Sequence, residues 1–395
     1  MWLTNLRVVL PDQVVERGSI RIEDSRIAEI VEGDRMNGTS GAHTSPKLTA
    51  IPGLVDVHGD MLEREIEPRP GAHFPVEMAL NELDKRLASN GVTTAYAAIS
   101  FAEGRPRNNL RSEEQARDII RTTNRLHDSL LVDMRVHARF EVTNQNAPPI
   151  LSDLIADNQV HLISLTDHTP GQGQYRDIEK YVSTMAEWRQ VSNDHAMEIT
   201  LDRIRNAQLK PPAWDVVRDV TRIAAQQGLI IASHDDDTVE KVELMANLGA
   251  SISEFPVSAG AAREARRRGM SVVMGAPNAL RGLSTSGNLS AQDAIAAGLV
   301  DMLASDYHPA ALLQAVCAIT RRGLLPLHEA VKLVTLNPAR AMGLQGRGSI
   351  AAGNIADIAL VDFRHSLASP RVRATFRFGA PIYLDHDLSH HVTQR

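Results

Sequence analysis

Ile51-Pro52-Gly53-Leu54-Val55-Asp56-Val57-His58-Gly59-Asp60 reads as an apolar strand that closes on two potential metal ligands. In an extended chain residues two apart share a face, so His58 and Asp60 can grip one ion while Gly59 leaves room. An imidazole with a carboxylate suits zinc or another divalent transition metal. A lone His-x-Asp is weak evidence, and its weight comes from what recurs downstream.

Downstream the chain repeats one unit, in which a helical stretch runs into a glycine and the glycine into an apolar strand. Gly91-Val92 to Ile99, Gly228-Leu229 to Ser233, Gly249-Ala250 to Ser253, Gly269-Met270 to Met274 and Gly298-Leu299 to Leu303 all follow it. A glycine tolerates the left-handed conformation that ends a helix, and continuously apolar strands are those covered on both faces. Ser112-Glu113-Glu114-Gln115 and Asp237-Thr238-Val239-Glu240 resemble capping boxes at helix starts. With 51–57, 131–140 and 160–166 the strands number eight. That alternation predicts an α/β fold, a (β/α)₈ TIM-type barrel with its functional groups at the strand C-terminal ends. A doubly wound sheet is the alternative, and no Gly-x-Gly-x-x-Gly loop supports it.

The two ends of the chain differ from this middle. Short strands fill the first forty residues, and strand-like character returns from Gly348-Ser349-Ile350 through Asp362, Arg371 to Phe378 and Pro381 to Leu384. The expected organisation is a small β-sandwich built from 1–50 and 346–395 around a barrel at 51–345.

In a barrel, residues at distant strand ends meet at one rim. His58 and Asp60 close the first strand, Glu141 the third, His168 the fourth, His234 the fifth and Asp306 the last. Each alone reads as a helix cap, a loop residue or a hydrogen-bonded core histidine; five strand ends converging on one rim change that balance. Clustered carboxylates repel unless cations neutralise them. Two divalent ions with Glu141 as bridge, zinc before manganese or iron, satisfy that requirement. The chemistry expected is metal-assisted hydrolysis, with Asp306 holding a metal and moving the proton of a water. His137, inside a strand, and His390 and His391, in the polar tail, read as structural or solvated.

Net charge −6 argues against a general nucleic-acid surface or an anionic-membrane binder, so an anionic substrate must be met by local groups. The segment Met274 to Asn288 follows the seventh strand and is rich in Gly, Ser and Asn. Its backbone N–H groups, with Asn278, Ser286 and Asn288, can wrap phosphate oxygens while Arg281 adds a bidentate contact. A plain connecting loop fits that composition equally well. Arg64 and Arg69 follow the first strand toward the same rim, whereas Arg266-Arg267-Arg268 ends a helix on the opposite face. The single cysteine, Cys317, excludes an intrachain disulfide. No apolar run nears the ~18 residues of a membrane span, and the N-terminus lacks a secretory pattern. A cytoplasmic protein is the expectation, with a small anionic phosphorylated substrate and copies of itself as partners, and neither nucleic acid nor membrane.

With these residues assembled, the chain resembles the amidohydrolase superfamily. "IPGLVDVHGD" and "GSIAAGNIADIALVD" look like its entry strand and its return to the sandwich. "HGDMLEREIEPRPG", "LISLTDHTPGQGQY", "IIASHDDDT", "ISEFPVS", "VVMGAPNALRGLSTSGN" and "ASDYHPAALLQA" are similar to a branch that acts in phosphonate use. The resemblance implies hydrolysis of a ribosyl 5-triphosphate to the 5-phosphate and pyrophosphate, rather than amide cleavage. It also implies metal ligation by His58, Asp60, Glu141, His168, His234 and Asp306. Asp60 stands where the superfamily usually has a second histidine, a change this branch shares. Glu141 replaces the lysine that elsewhere is carbamylated. Gly59, where the branch more often has Thr, and His308, where it has an aromatic or apolar residue, bear on substrate choice. A C–N hydrolase such as a deaminase, cyclic amidase or deacetylase would use the same barrel, and a barrel serving only as scaffold should have lost its ligands.

Overall fold

The computed structural model describes residues 1–33, 42–43, 48–102, 109–209, 211–284, 287–363 and 369–386. Eight parallel strands form the central sheet: β1 Leu54–Gly59, β2 Val92–Phe101, β3 Asp133–Glu141, β4 Leu162–Thr166, β5 Ile230–His234, β6 Ile252–Glu254, β7 Ser271–Gly275 and β8 Met302–Ala304. They pair in chain order, as right-handed strand–helix–strand units require. Between β1 and β8 the ladder reduces to one bridge, Gly59 with Asp306. Lower down, Leu333 and Val334 fill the gap, the carbonyl of Leu333 accepting from Leu303 N–H (2.8 Å) and that of Val334 from Val55 N–H (2.9 Å). This is the expected (β/α)₈ barrel.

Local sequence explains the elements. Gly91 and Gly249 take φ of +83° and +92° at helix ends, a conformation open to glycine and strained for a side chain. Ser112 caps its helix as expected, accepting from Gln115 N–H at 3.4 Å. The second cap is one residue later than its sequence suggests. Thr238 accepts from Lys241 N–H at 3.1 Å, while the Asp237 carboxylate accepts from Gly173 N–H at 2.9 Å.

The expected first strand, 51–57, is divided. Leu48–Pro52 pairs with Ile358–Asp362 and Trp2–Val9 in the terminal sheet, and the barrel strand begins after Gly53. The reason is steric, since a Cβ at Gly53 would lie 2.4 Å from the Thr93 hydroxyl. The chain can therefore pass from one sheet to the other there. The terminal sheet runs Ala380–Leu384, Arg371–Arg377, Ile358–Asp362, Leu48–Pro52, Trp2–Val9, Val14–Glu23, Arg26–Glu32, with Ala42–His43 beside Trp2–Val9. Alternation sorts its side chains. Leu48, Ala50, Ile358 and Leu360 enter the sheet's own core, while Ile51, Ala359 and Val361 pack against the barrel.

Strand β3 breaks the apolar rule. Met134, Val136, Ala138 and Phe140 join the core under the helices. Asp133, Arg135, His137, Arg139 and Glu141 take the alternate, opposite face, along the barrel interior. At its lower end Asp133 is held by His127 (2.9 Å), Arg135 (3.2 Å) and Arg347 (2.8 Å), the last reaching from the C-terminal part of the chain. Arg377 donates to the carbonyls of Leu130 and Leu131 beside it. This clasp joins the two sheets.

Burial would raise the Asp133 pKa, but Arg135, the His127 hydrogen bond and Arg347 outweigh it and hold the carboxyl at about 2. A depressed folded pKa contributes stability that is present above the unfolded value near 4 and lost as pH falls toward 2. Asp133→Asn is expected to cost about 2–4 kcal/mol at pH 6, with the deficit narrowing by pH 2–3. Urea unfolding of both proteins at the two pH values checks this, and a pH-independent difference would contradict it.

Candidate active site

The six expected ligands converge. His58, Asp60, Glu141, His168, His234 and Asp306 line one cavity of about 480 Å³ at the C-terminal ends of the strands. Arg64, Asn278, Arg281 and Asn288 line it too. Arg69 and His308 are exposed and are not among its lining residues, and Ser286 lies outside the described residues, as do His390 and His391.

Barrel closure positions the first and last of these groups. The carbonyl of His58 accepts from Asp306 N–H (2.9 Å), and that of Asp306 accepts from Asp60 N–H (2.8 Å). Beneath them Asp56 is fully buried and takes both the N–H of Ser305 (2.9 Å) and its hydroxyl. A Cβ on Gly59 would sit 2.7 Å from Met61 Cε and 3.2 Å from Asp56 Oδ2, so a side chain there requires the Met61 thioether to move aside. Asp306 adopts φ +56°, and Asp235 and Phe255, just past β5 and β6, adopt +53° and +55°. Left-handed non-glycine residues of this kind cost about 1–3 kcal/mol each and persist where surroundings over-determine them.

Two carboxylates, the buried Glu254 and the half-buried Glu141, orient His234 and His168. Glu254, on β6, hydrogen-bonds Nδ1 of His234 through Oε2 at 3.2 Å and so turns its Nε2 away; the same oxygen lies 3.2 Å from Nδ1 of His58, which has no hydrogen-bond partner. Glu141 accepts from the backbone N–H of His168 (2.9 Å) and lies 2.7 Å from its Nδ1, with the Thr166 hydroxyl at 3.3 Å. Carboxylates behind imidazoles set tautomer and ring orientation in metal sites. His137 is buried below, with Nε2 2.9 Å from the Ser164 hydroxyl. Two donor groups result, His58–His137–Glu254 and His168–His234–Asp235, each with its ligand atoms within 4.8 Å of one another.

Arg139 lies at the focus of these lone pairs. Its Nη2 is 3.2 Å from His234 Nε2 and 3.4 Å from His168 Nε2. Burial, reinforced by Arg139, pushes His58 down to about 3 and His234 well below the usual histidine value. Both imidazoles are therefore neutral and able to donate electron pairs. Burial and the neighbouring Asp60 push Asp306 up to about 7, and burial raises Glu254 to about 7. The buried Asp60 Oδ1 has no hydrogen-bond partner. Neutral imidazoles, destabilised carboxylates and an orphaned oxygen make a donor set that fits divalent cations.

Arg139, Asp235 and Glu254 were not singled out from sequence. Arg139 and Glu254 had one signal, a charged residue inside a barrel strand at inward parity. Asp235 had none beyond adjacency to His234.

Comparison with known proteins agrees with this architecture. The amidohydrolase family model matches residues 76–383. Alpha-D-ribose 1-methylphosphonate 5-triphosphate diphosphatase of Escherichia coli (strain K12) is 33% identical over 371 residues, covering 91% of this chain and 94% of that protein. Dihydropyrimidinase from Brevibacillus agri superposes with a TM-score of 0.64 at 13% identity, covering 97% and 95% of the two chains. N-acetyl-D-glucosamine-6-phosphate deacetylase from Mycobacterium smegmatis gives 0.64 at 16% identity, covering 97% and 100%. These two likenesses concern the fold.

Because the Ser305 hydroxyl donates to the buried Asp56, Ser305→Ala removes that bond while keeping the backbone one, and is expected to lower stability by about 1–3 kcal/mol. Chemical denaturation measures this, and an unchanged midpoint would remove the Asp56–Ser305 bond from the closure.

Proposed function

The chain belongs to the amidohydrolase family, and from that membership we propose that it is a metal-dependent diphosphatase. In this reading it hydrolyses a ribosyl 5-triphosphate to the 5-phosphate and pyrophosphate, in phosphonate catabolism. The observation that carries the reading is the composition of one cavity wall, with acid and imidazole groups at its floor and Arg64, Arg111, Arg203 and Arg281 around it. Such a wall in a chain of net charge −6 suits a polyanion better than a neutral amide. The relative's name supplies the substrate class.

Two divalent ions are proposed, zinc before manganese or iron, held by His58, Asp60, Glu141, His168, His234 and Asp306. When bound, such ions supply an activated water and charge neutralisation at the reacting phosphate. The protein's own groups do the rest. Asp306, half-buried and raised toward 7, is placed to take the proton of the attacking water. Asn278 and Arg281 follow β7, respectively inside and at the end of the helix Ala276–Arg281. Asn278 spends its own amide on holding the loop, donating to Leu289 O (3.0 Å) and accepting from Ala291 N–H (3.1 Å). Asn278 thus positions, and Arg281 binds. Phosphoryl transfer depends largely on positioning and charge stabilisation, which this set provides.

Metal content comes first: elemental analysis is expected to find two divalent ions per chain. A value near one would assign the second cationic position to Arg139, and none, with chelator-insensitive activity, would remove the metal mechanism. Asp306→Asn is expected to keep the fold and lose about 10²–10⁴-fold in turnover. Incubation with ribosyl 5-triphosphates should release pyrophosphate. Ammonia from aminopurines, acetate from N-acetyl sugars or a ring-opened acid from cyclic amides, without pyrophosphate, would move the chain to C–N hydrolysis.

A further inference from the structure

Strand β5 runs directly into three acids, Asp235-Asp236-Asp237, and the fold uses them differently. Asp236 is buried and accepts from the hydroxyls of Ser233 and Ser253, each at 2.5 Å. Asp237 accepts from Gly173 N–H at 2.9 Å. Asp235 alone of the three lines the acid–imidazole cavity. It is 6% exposed, and among the described residues its carboxylate accepts no hydrogen bond.

Backbone conformation brings it there. Consecutive residues of a strand point to opposite faces, so the side chain after His234 would normally leave the cavity. Asp235 instead takes φ +53°, and both side chains line the same space. That left-handed turn is strained for a non-glycine residue, and it is held at three points. The Asp235 N–H donates to Glu254 O (2.9 Å), and its carbonyl accepts from Lys241 Nζ (3.4 Å). Gly173 packs so closely that a Cβ there would lie 3.1 Å from the same carbonyl oxygen.

The space that Asp235 faces suits a cation. One ring nitrogen each of His168 and His234 and one Asp235 oxygen lie within 4.8 Å of one another, and Asp235 Oδ2 is 3.6 Å from His234 Nε2. The Arg139 guanidinium already directs positive charge at both Nε2 atoms. It is weakly tied: among the described residues Arg139 forms no ion pair, and its buried Nε has no hydrogen-bond partner. Its side chain can therefore yield the position to an ion. Glu141 does not complete this trio. Its Oε1 accepts from His168 N–H and its Oε2 lies against His168 Nδ1, on the side of the ring away from Nε2.

We propose that Asp235 is a protein ligand of the second divalent ion, joining His168 and His234, with Glu141 acting from behind the His168 ring. Asp235 stands outside the six ligands that the family likeness implies. Two imidazoles and one carboxylate, with positions left open for water and substrate, are a donor set of hydrolytic zinc and of ferrous centres. The inference deepens the metal-dependent reading and rests on it for the presence of two ions.

Asp235→Asn is the informative variant, because asparagine tolerates left-handed backbone and keeps the shape of the side chain while losing its charge. Equilibrium dialysis against Zn²⁺ followed by elemental analysis is expected to find two ions in the wild type and one in Asp235→Asn, with the second weakened more than about 100-fold. That margin separates a ligand from an outer partner, whose loss costs about 10–100-fold. Asp235→Cys gives a second readout that packing or net charge would not move. Titrated with Co²⁺, it is expected to show a thiolate-to-cobalt charge-transfer band absent from the wild type, whose one cysteine, Cys317, is buried in the helix Ala311–Arg321. Far-UV circular dichroism verifies the fold of both variants. Second-ion affinity within about 100-fold of wild type in Asp235→Asn, or a Cys variant without the band, overturns the assignment. One ion in the wild type would remove the second ion and this ligand together. Two ions in the wild type and one in Asp235→Asn, without pyrophosphate release from ribosyl triphosphates, would sink only the diphosphatase reading.

Discussion

The barrel is closed at its rim by the residues that make its chemistry. Strands β1 and β8 share one bridge there, and its hydrogen bonds run between His58, Asp60 and Asp306, with the Asp56–Ser305 pair buried directly below. A closed sheet has no free edge, and closure imposes a fixed stagger on the strands. Here that stagger also sets the spacing of one imidazole and two carboxylates. The left-handed backbone at Asp306 is the local cost of bringing its side chain into the cavity while its peptide joins β1.

The charged column of β3 links that rim to the opposite face. Buried polar groups are costly unless satisfied, so each has a partner from another strand or from the terminal sheet. Asp133 anchors the bottom through Arg347, His137 bonds Ser164 halfway up, and Arg139 and Glu141 face His234 and His168 at the top. One strand thereby ties the terminal sheet to the site. The two sheets act as a single support for the histidines.

Electrostatically the molecule is acidic overall, yet Arg64, Arg111, Arg139, Arg203 and Arg281 gather in the lining of one cavity. The floor carries carboxylates that burial has raised, a state that bound cations relieve. Arg64, Arg111, Arg203 and Arg281 share that lining. A polyanion drawn to such a mouth meets positive charge first and the acid–imidazole floor last.

How much of this was legible in the chain follows from where each signal resides. Helix-glycine-strand repetition is local, so the barrel, the order of its strands and the strand-end residues His58, Asp60, Glu141, His168, His234 and Asp306 could be read directly. Periodicity could not show that 48–52 and 54–59 belong to different sheets, because both are apolar and the break depends on Thr93 contacting Gly53 from another strand. Nor could it show that Arg69 and His308 stand outside the cavity while Arg111 and Arg203 line it. Adjacency in sequence places a residue near a rim, but backbone direction and packing decide which way it faces. The roles of Arg139 and Glu254 needed the closed barrel most of all. A charge inside a strand becomes part of a site only when closure brings histidines from β1, β4 and β5 to within bonding distance of it.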